Sequence, residues 1–456
     1  MKGIKTIVIA AVASCALAYY LMVIGQPVAI ASTAAITLFT ATLWVTEALP
    51  IPVTSLIPFV ALPMAGVISH KEAASALGSH VILLLMGAFM LSKALERSNV
   101  HHRFATYMLN LTGADSAKRL VLAFMLTAAL LSMWISNTAT TLMLLPIALA
   151  ILSHFNNPRL TVALLLGIAF AASLGGVGTP IGTPPNIIFM SVYSETQGKE
   201  ISFLSWMKTG VPIVLIAIPI MALWLTRHLG KLTECPQPEL GAWSTEEKRV
   251  IAVFFFVALA WVFRPYWTAW LNMPFVGDST IALLGVVVMF MISSGDANDK
   301  DRRLLDWQTA SNIPWGMLLL FAGGICLAKG FAASGLSAKM GDLMTGLATW
   351  DIFWLVLGTC LFVTFLTEIT SNTATATLLM PILATAGVGA GIDPALLMMP
   401  AAISASCAFM LPVATAPNAI VYGTNAFSIK DMAKEGFILN VIVAFVVSSV
   451  VVVTRT

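Results

Sequence analysis

The chain has 456 residues, of which 59% are hydrophobic and only 10% charged, far below the roughly one-quarter charged residues of a soluble domain, so most of its surface faces lipid. Lys and Arg number 24 against 21 Asp and Glu, a net charge of +3, which excludes nucleic acid as a main partner because phosphate backbones demand concentrated positive charge. The five cysteines (Cys15, Cys235, Cys326, Cys360, Cys407) lack CxxC or CxxH spacing and sit mostly in apolar runs, which reads as inert apolar thiols.

A bilayer core of about 30 Å takes about 20 apolar residues of helix. Eleven segments qualify, near residues 5–24, 28–47, 51–68, 79–96, 159–193, 209–227, 249–263, 279–294, 313–334, 395–423 and 435–454. The first follows the basic start Met1-Lys2-Gly3-Ile4-Lys5, but no small-residue cleavage site is followed by a soluble domain, so it is read as a retained span. Two further apolar stretches do not fit one crossing each. Residues 120–153 are divided by Ser136-Asn137-Thr138 into arms of about 15 residues, too short to cross, and are expected to enter, turn near the midplane and leave. Residues 352–387 repeat that pattern around Ser371-Asn372-Thr373.

Lys118, Arg119 and Arg159 flank the first hairpin, whereas Asp351 and Asp393 flank the second. Cytoplasmic loops are the ones enriched in Lys and Arg, so the first opens inward and the second outward. With the N-terminus inside and the C-terminus outside, the crossing count places sixteen Lys and Arg in the cytoplasm and six outside, leaving Lys93 and Lys329 within spans. That asymmetry supports a multi-pass protein of the plasma membrane in this orientation.

Comparing the chain with itself finds three matched blocks. Residues 83–95 (LLLMGAFMLSKAL) resemble 318–331 (LLLFAGGICLAKGF), 136–146 (SNTATTLMLLP) match 371–381 (SNTATATLLMP), and 182–188 (GTPPNII) resemble 414–420 (ATAPNAI). Asn137 to Asn372 is an offset of 235 and Asn186 to Asn418 one of 232. Order and spacing preserved over three blocks indicate a duplication. Each unit has five spans and one hairpin, so the second copy is inverted. The expected layout is an N-terminal span (1–27), a first repeat (28–230) with its inward hairpin at 118–153, a cytoplasmic linker (231–248), and a second repeat (249–456) with its outward hairpin at 352–387. Inverted repeats around broken helices are the plan of secondary transporters, with substrate and coupling ions meeting near the midplane.

At a hairpin tip the entering arm ends in unpaired carbonyls, which attract cations, and the returning arm begins with unpaired N–H groups, which attract anions. Ser, Asn and Thr are the residues that cap such starts. Each SNT tip therefore offers Na⁺ ligands and carboxylate donors together. The run Ser173-Leu-Gly-Gly-Val-Gly-Thr-Pro-Ile-Gly-Thr-Pro-Pro-Asn186 cannot stay helical, since Gly lowers helix stability and each Pro removes a donor. The span is expected to unwind near Gly182, and Pro412-Val-Ala-Thr-Ala-Pro-Asn418 repeats the break. Glu368 lies beside the second tip, where it either balances bound cations or holds structure through hydrogen bonds. Lys93 and Lys329 are expected to snorkel or to bond neighbouring carbonyls, and Glu47 to sit at the interface. The six histidines form no ligand cluster in the sequence.

A channel would build its filter from rings of identical elements around one pore, and an intramembrane hydrolase would carry HExxH or a Ser/His pair at span depth. Two inverted hairpins in one chain favour a carrier, not an enzyme. No intramembrane Arg offers a carboxylate clamp, so neutral donors, helix termini and cations must hold an anion.

At the two SNT tips and the PPN and APN breaks, the sequence resembles the divalent anion/sodium symporter family, bacterial dicarboxylate-transporter type, from Thr46-Glu47-Ala48-Leu49-Pro50 to the last span. Residues 406–421 (SCAFMLPVATAPNAIV) also reproduce that family's sodium-symporter signature in spacing. The resemblance implies an all-α polytopic homodimer with a scaffold and an elevator-like transport domain per protomer, and no organic cofactor. It further implies sodium-coupled uptake of C4-dicarboxylates (succinate, malate, fumarate), with sodium-independent exchange or citrate and sulfate symport as alternatives. Carried over by motif, one Na⁺ site uses Ser132, Ser136, Asn137 and the Gly182 carbonyl, and a second uses Thr367, Thr370, Asn372 and the Ala414 carbonyl. Substrate carboxylates meet Asn137, Thr138, Thr183, Asn372, Thr373 and Thr415. The chain departs from the pattern where Ala416 replaces the first proline of a second PPN motif.

Overall fold

In a computed structural model the chain is described at residues 2–100, 103, 104, 107, 116–155, 157–230, 242–296, 301–344 and 351–455. Cys235, His101, His102 and most of the expected 231–248 linker lie outside these residues. The fold is helical, and Ser293 and Arg303 form an isolated β bridge.

The chain opens with two apolar helices, α1 (Lys2–Val23) and α2 (Val28–Thr46). Where a single span over 51–68 was expected, two short helices stand, α3 (Ile51–Thr54) and α4 (Ile57–Met64). Pro52 and Pro58 sit in their first turns, where proline removes no helical bond, and the Ser55 hydroxyl at the break accepts the Trp44 indole N–H at 3.1 Å. Next come α5 (His70–Leu77), capped reciprocally by Ser69 and Glu72, and α6 (His80–Arg97). The first expected hairpin is α7 (Ala117–Ser132) and α8 (Asn137–Leu152). The expected span 159–193 is α9 (Pro158–Gly175), one 3-10 turn at Gly176–Gly178, and α10 (Pro184–Gln197), interrupted where its glycines and prolines cluster.

The second half follows with α11 (Phe203–Leu225), α12 (Thr245–Val262), α13 (Arg264–Trp270), α14 (Asp278–Met291), α15 (Trp307–Ser311) and α16 (Trp315–Ser334). After α17 (Leu336–Met344) come the second hairpin, α18 (Ile352–Thr367) and α19 (Asn372–Gly389), the broken pair α20 (Ala395–Ala405) and α21 (Ala416–Tyr422), and α22 (Ile429–Arg455).

Among the described residues seven helical segments are long and apolar enough to cross a membrane, or eight with α12 and α13 taken as one span bent by 78°. They coincide with eight of the eleven expected spans. The other three, at 51–68, 279–294 and 395–423, are built from shorter pieces: prolines divide the first, α14 stops after 14 residues when Ile292 turns extended, and the third unwinds between Ala405 and Ala416. Exposed apolar side chains such as Val8, Ile9, Leu215, Leu223, Phe256 and Val453 stand around the outside, the surface a lipid solvent calls for.

The helices sort into two packing groups. Helices α1 to α6 pack with α12, α14, α15 and α16, while α7 to α11 pack with α18 to α22, and α10 and α19 meet α16 where the groups touch. Helix α9 is buried along nearly its whole length, and Gly175 lets it approach α7 so closely that a Cβ there would stand 2.3 Å from the Ala129 Cα. Small residues at such crossings are how helices associate without a hydrophobic drive from solvent.

Candidate functional site

The two hairpin tips face one cavity of about 550 Å³, lined by 136–138 and 371–373 of the tips, by 181–184 and 414–417 of the two breaks, and by α6 and the 312–317 segment from the other packing group. All six residues expected to meet substrate, Asn137, Thr138, Thr183, Asn372, Thr373 and Thr415, line it. Its volume falls in the range of small-molecule sites. The charged side chains in the lining are Lys93 and Glu96, ion-paired at 2.6 Å. The remaining polar groups are neutral, so an anion held at the tips is bound by amides, hydroxyls and helix N-termini.

At the first tip the Ser132 hydroxyl donates to Asn137 Oδ1 at 2.6 Å, and the Ser136 hydroxyl accepts the Ala139 N–H at 3.2 Å, starting α8. The returning break presses against this pair. A Cβ added to Gly182 would lie 2.4 Å from the Gly176 carbonyl oxygen and 2.8 Å from that of Ser132, and one added to Gly176 would lie 2.9 Å from Asn137 Oδ1 and 2.8 Å from the Gly182 oxygen. Three carbonyls, an amide oxygen and a hydroxyl thus converge on ground that only glycine leaves open. An all-oxygen cradle of neutral donors suits a hard cation. Of the four residues expected at the first Na⁺ site, Ser132, Asn137 and Gly182 are brought together here, while the Ser136 hydroxyl caps α8.

The second tip repeats the central bond. The Thr367 hydroxyl donates to Asn372 Oδ1 at 2.7 Å and also reaches the Ala405 carbonyl at 3.1 Å. Asn372 and Ala414 both line the cavity. The Thr370 hydroxyl, by contrast, is engaged with the Leu366 carbonyl at 2.8 Å and, across the tip, with the Thr375 hydroxyl at 2.6 Å. Positions 176 and 182 of the first cradle correspond to Ala408 and Ala414 here, so the second cradle accommodates side chains where the first has no room.

Both breaks are braced in the same way. Asn186 Nδ2 donates to the carbonyls of Gly176 (3.0 Å) and Thr179 (2.8 Å), and Asn418 Nδ2 to those of Ala408 (3.0 Å) and Leu411 (3.0 Å). The spacings back along the chain are identical in the two breaks. Unwound carbonyls at membrane depth need such partners. The indole N–H of Trp206 satisfies the Val177 carbonyl at 2.8 Å, and the Thr179 hydroxyl donates to the Met133 carbonyl. Across the centre, the Thr183 and Ser406 hydroxyls share a hydrogen bond at 3.1 Å.

Several of these groups escape sequence reasoning. Ser406 stands in the 406–421 signature without a role of its own, and Trp206 looks like any aromatic packing residue. Asn440, fully buried in the apolar middle stretch of α22, was findable as a polar residue inside a span. Lys93 and Lys329 were expected to snorkel or bond carbonyls; they pair instead with Glu96 (2.6 Å) and Glu195 (2.7 Å), since a carboxylate within reach offers a stronger partner than a carbonyl. Glu368 accepts the backbone N–H groups of Phe409, Met410 and Leu411 and the Asn440 amide. Among the described residues no three His, Cys, Asp or Glu side chains come together as a metal cluster.

The family model for citrate transporters (CitMHS) matches residues 41–396. Among curated proteins, the sodium-dependent dicarboxylate transporter SdcS of Staphylococcus saprophyticus is 41% identical over 440 residues, covering 91% of this chain and 84% of that protein. SdcS of Staphylococcus aureus (strain NCTC 8325) matches to the same extent. Among solved structures, the YdaH transporter of Alcanivorax borkumensis superposes with a TM-score of 0.57 at 14% identity, covering 83% of this chain and 86% of that one. The MtrF transporter of Neisseria gonorrhoeae gives 0.56 at 13% identity, covering 84% and 82%; these two similarities speak to the fold alone. With its spans, paired hairpins and shared cavity, the chain belongs to the citrate transporter family and is a multi-pass membrane transporter, not an enzyme.

Proposed function

We propose that this protein is a sodium-coupled symporter of C4-dicarboxylates such as succinate, malate and fumarate, working by alternating access. The observation that carries the reading is the convergence of both SNT tips and both breaks on one cavity whose tips offer only neutral donors. A dianion there needs charge compensation, and the oxygen cradle beside it is suited to supply a cation. The names of the 41%-identical relatives agree with this choice.

In this reading Ser132, Ser136, Asn137 and the Gly182 carbonyl hold one Na⁺, and Thr367, Asn372 and the Ala414 carbonyl hold another. Thr370 contributes to the second through its backbone, its hydroxyl being committed to Thr375. The substrate carboxylates bridge the tips through Asn137, Thr138, Thr183, Asn372, Thr373 and Thr415. Binding of cation and anion is then mutually dependent, because each neutralises the field of the other.

The two halves act as inverted repeats, an assignment supported by the matching Asn186 and Asn418 braces. The group holding both hairpins is the moving transport domain, and the group of α1 to α6, α12, α14 and α16 is the scaffold of a homodimer. The N-terminus is cytoplasmic and the C-terminus outside. Ion pairs support the sidedness: Arg97 with Asp306, Arg103 with Glu247 and Arg227 with Glu435 join residues that the crossing count puts in the cytoplasm, while Arg264 with Asp278 joins residues it puts outside.

The test is uptake of labelled succinate into proteoliposomes, with Na⁺ replaced by K⁺ or choline and with unlabelled dicarboxylate trapped inside. Symport requires uptake that collapses without Na⁺ and needs no internal dicarboxylate. Uptake that persists in choline and is stimulated by the trapped anion would make the protein an exchanger.

A further inference from the structure

We propose that Glu368 is the positioning residue of the second cation site, an internal anion that fixes the unwound segment after α20 and makes this site bind Na⁺ ahead of the first. The inference rests on the sodium-coupled reading and deepens it by ordering the two sites.

Glu368 is the C-cap of α18, one residue after Thr367, and is only 3% exposed. Its Oε1 accepts the N–H groups of Phe409 (2.7 Å) and Met410 (2.9 Å) and the Asn440 amide (2.7 Å), and its Oε2 accepts the Leu411 N–H at 3.0 Å. Four donors converge on it, the arrangement of an ionised carboxylate. Three successive backbone N–H groups form a concavity that would otherwise attract an anion. Glu368 fills it from within the chain, so the segment presents carbonyls, not positive charge, to the cavity.

The same segment is held from the opposite side. Asn418 Nδ2 ties the carbonyls of Ala408 and Leu411 together at 3.0 Å each, and the single hydroxyl proton of Thr367, next to Glu368, is shared between Asn372 Oδ1 at 2.7 Å and the Ala405 carbonyl at 3.1 Å. Glu368 therefore sets the backbone that runs from Ala405 to Ala414, both of which frame the second cradle. The first tip has Met133 at the corresponding position, an offset of 235, where the Thr179 hydroxyl satisfies its carbonyl. One cradle carries a built-in negative charge and its counterpart is neutral. A cation entering from water finds its electrostatic compensation at the second cradle without substrate, whereas the first gains it only when the dianion arrives.

The experiment follows Na⁺-induced thermal stabilisation of the purified full-length protein in detergent without substrate, and the Na⁺ and succinate dependence of uptake in proteoliposomes. For Glu368→Gln, whose amide must point a donor at a backbone N–H, the Na⁺ concentration for half-maximal stabilisation should rise about tenfold or more, while succinate half-saturation at saturating Na⁺ stays near wild type. Asn137→Ala should retain stabilisation at low Na⁺, since it damages the first site. A general folding defect would lower the maximal rate without separating these two dependences. If Glu368→Gln is not recovered as folded protein, Asn440→Ala, which removes one of the four donors and keeps the charge, should raise the Na⁺ requirement by about twofold to fivefold. A wild-type Na⁺ requirement in whichever variant is recovered, or loss of the low-Na⁺ stabilisation in Asn137→Ala alone, overturns the inference. If the wild-type protein itself shows no Na⁺ dependence, it is the sodium-coupled reading that fails.

Discussion

Alanine at position 182 should raise the Na⁺ requirement of transport while leaving a folded protein. The new Cβ would stand 2.4 Å from the Gly176 oxygen, 2.8 Å from the Gly176 Cα and 2.8 Å from the Ser132 oxygen, where Cβ atoms do not normally come within 3.0 Å of a neighbour. All three neighbours are backbone, so relief comes from parting the carbonyls that form the first cradle. Overpacking of this kind costs about 1–3 kcal/mol. Concentrated on the cation-bound geometry, at about 1.4 kcal/mol per tenfold, it corresponds to a rise of about fivefold to a hundredfold in half-saturating Na⁺. The reverse change at the equivalent position, Ala414→Gly, only adds room and should shift Na⁺ half-saturation far less. The assay is the Na⁺ dependence of labelled succinate uptake at matched protein density, with monodispersity checked by size exclusion. A Gly182→Ala protein with wild-type Na⁺ half-saturation would refute the argument, because the carbonyls of 132, 176 and 182 would then not face the cation.

Asn137→Ala and Asn372→Ala should each abolish most uptake at equal membrane expression, since each deletes the oxygen that accepts the Ser132 or Thr367 hydroxyl and faces the cavity; wild-type Na⁺-dependent uptake by either would remove that residue from the site. In a background without native cysteines, Lys118→Cys should react with a membrane-impermeant thiol reagent only from the cytoplasm and Asp351→Cys only from outside, and the opposite pattern would overturn the inverted arrangement of the hairpins. Succinate uptake should be electrogenic with more than two Na⁺ per dianion. One net charge gains about 2.3 kcal/mol per 100 mV, roughly fortyfold in accumulation; with valinomycin and K⁺ setting the potential, failure of an inside-negative potential to stimulate uptake would point to neutral coupling.

Hydropathy and helix-breaking residues act locally, which is why the positions of most spans, the interruption at each SNT tip and both breaks were legible in the amino-acid sequence. The Ser136 hydroxyl caps α8, Ser371 holds the same place before α19 without a side-chain cap bond, and the Gly and Pro cluster before Asn186 cannot continue a helix. The recurrence of SNT and of the PPN-like break in the sequence made the cavity lining legible too, because two copies of each motif name the same chemistry twice. All six substrate-contact expectations line the one cavity.

Tertiary packing decided what meets across long separations. Nothing local to Glu368 announces that its partners are three N–H groups about forty residues on and an amide on α22, nor does Thr183 announce Ser406. The short crossings at 51–68 and 279–294 were over-extended for a related reason: hydropathy counts apolar residues, whereas proline positions and the extended turn at Ile292 set where the helices stop. Lys93 and Lys329 found carboxylates that only the folded arrangement supplies, one a turn away on α6 and one across the boundary between the packing groups. Local composition determines which segments enter the membrane and where they break, because those free energies are sums over neighbouring residues. The partners of buried polar groups are determined only once the helices pack, because each such group must find its hydrogen bonds among whatever the fold brings within about 3 Å.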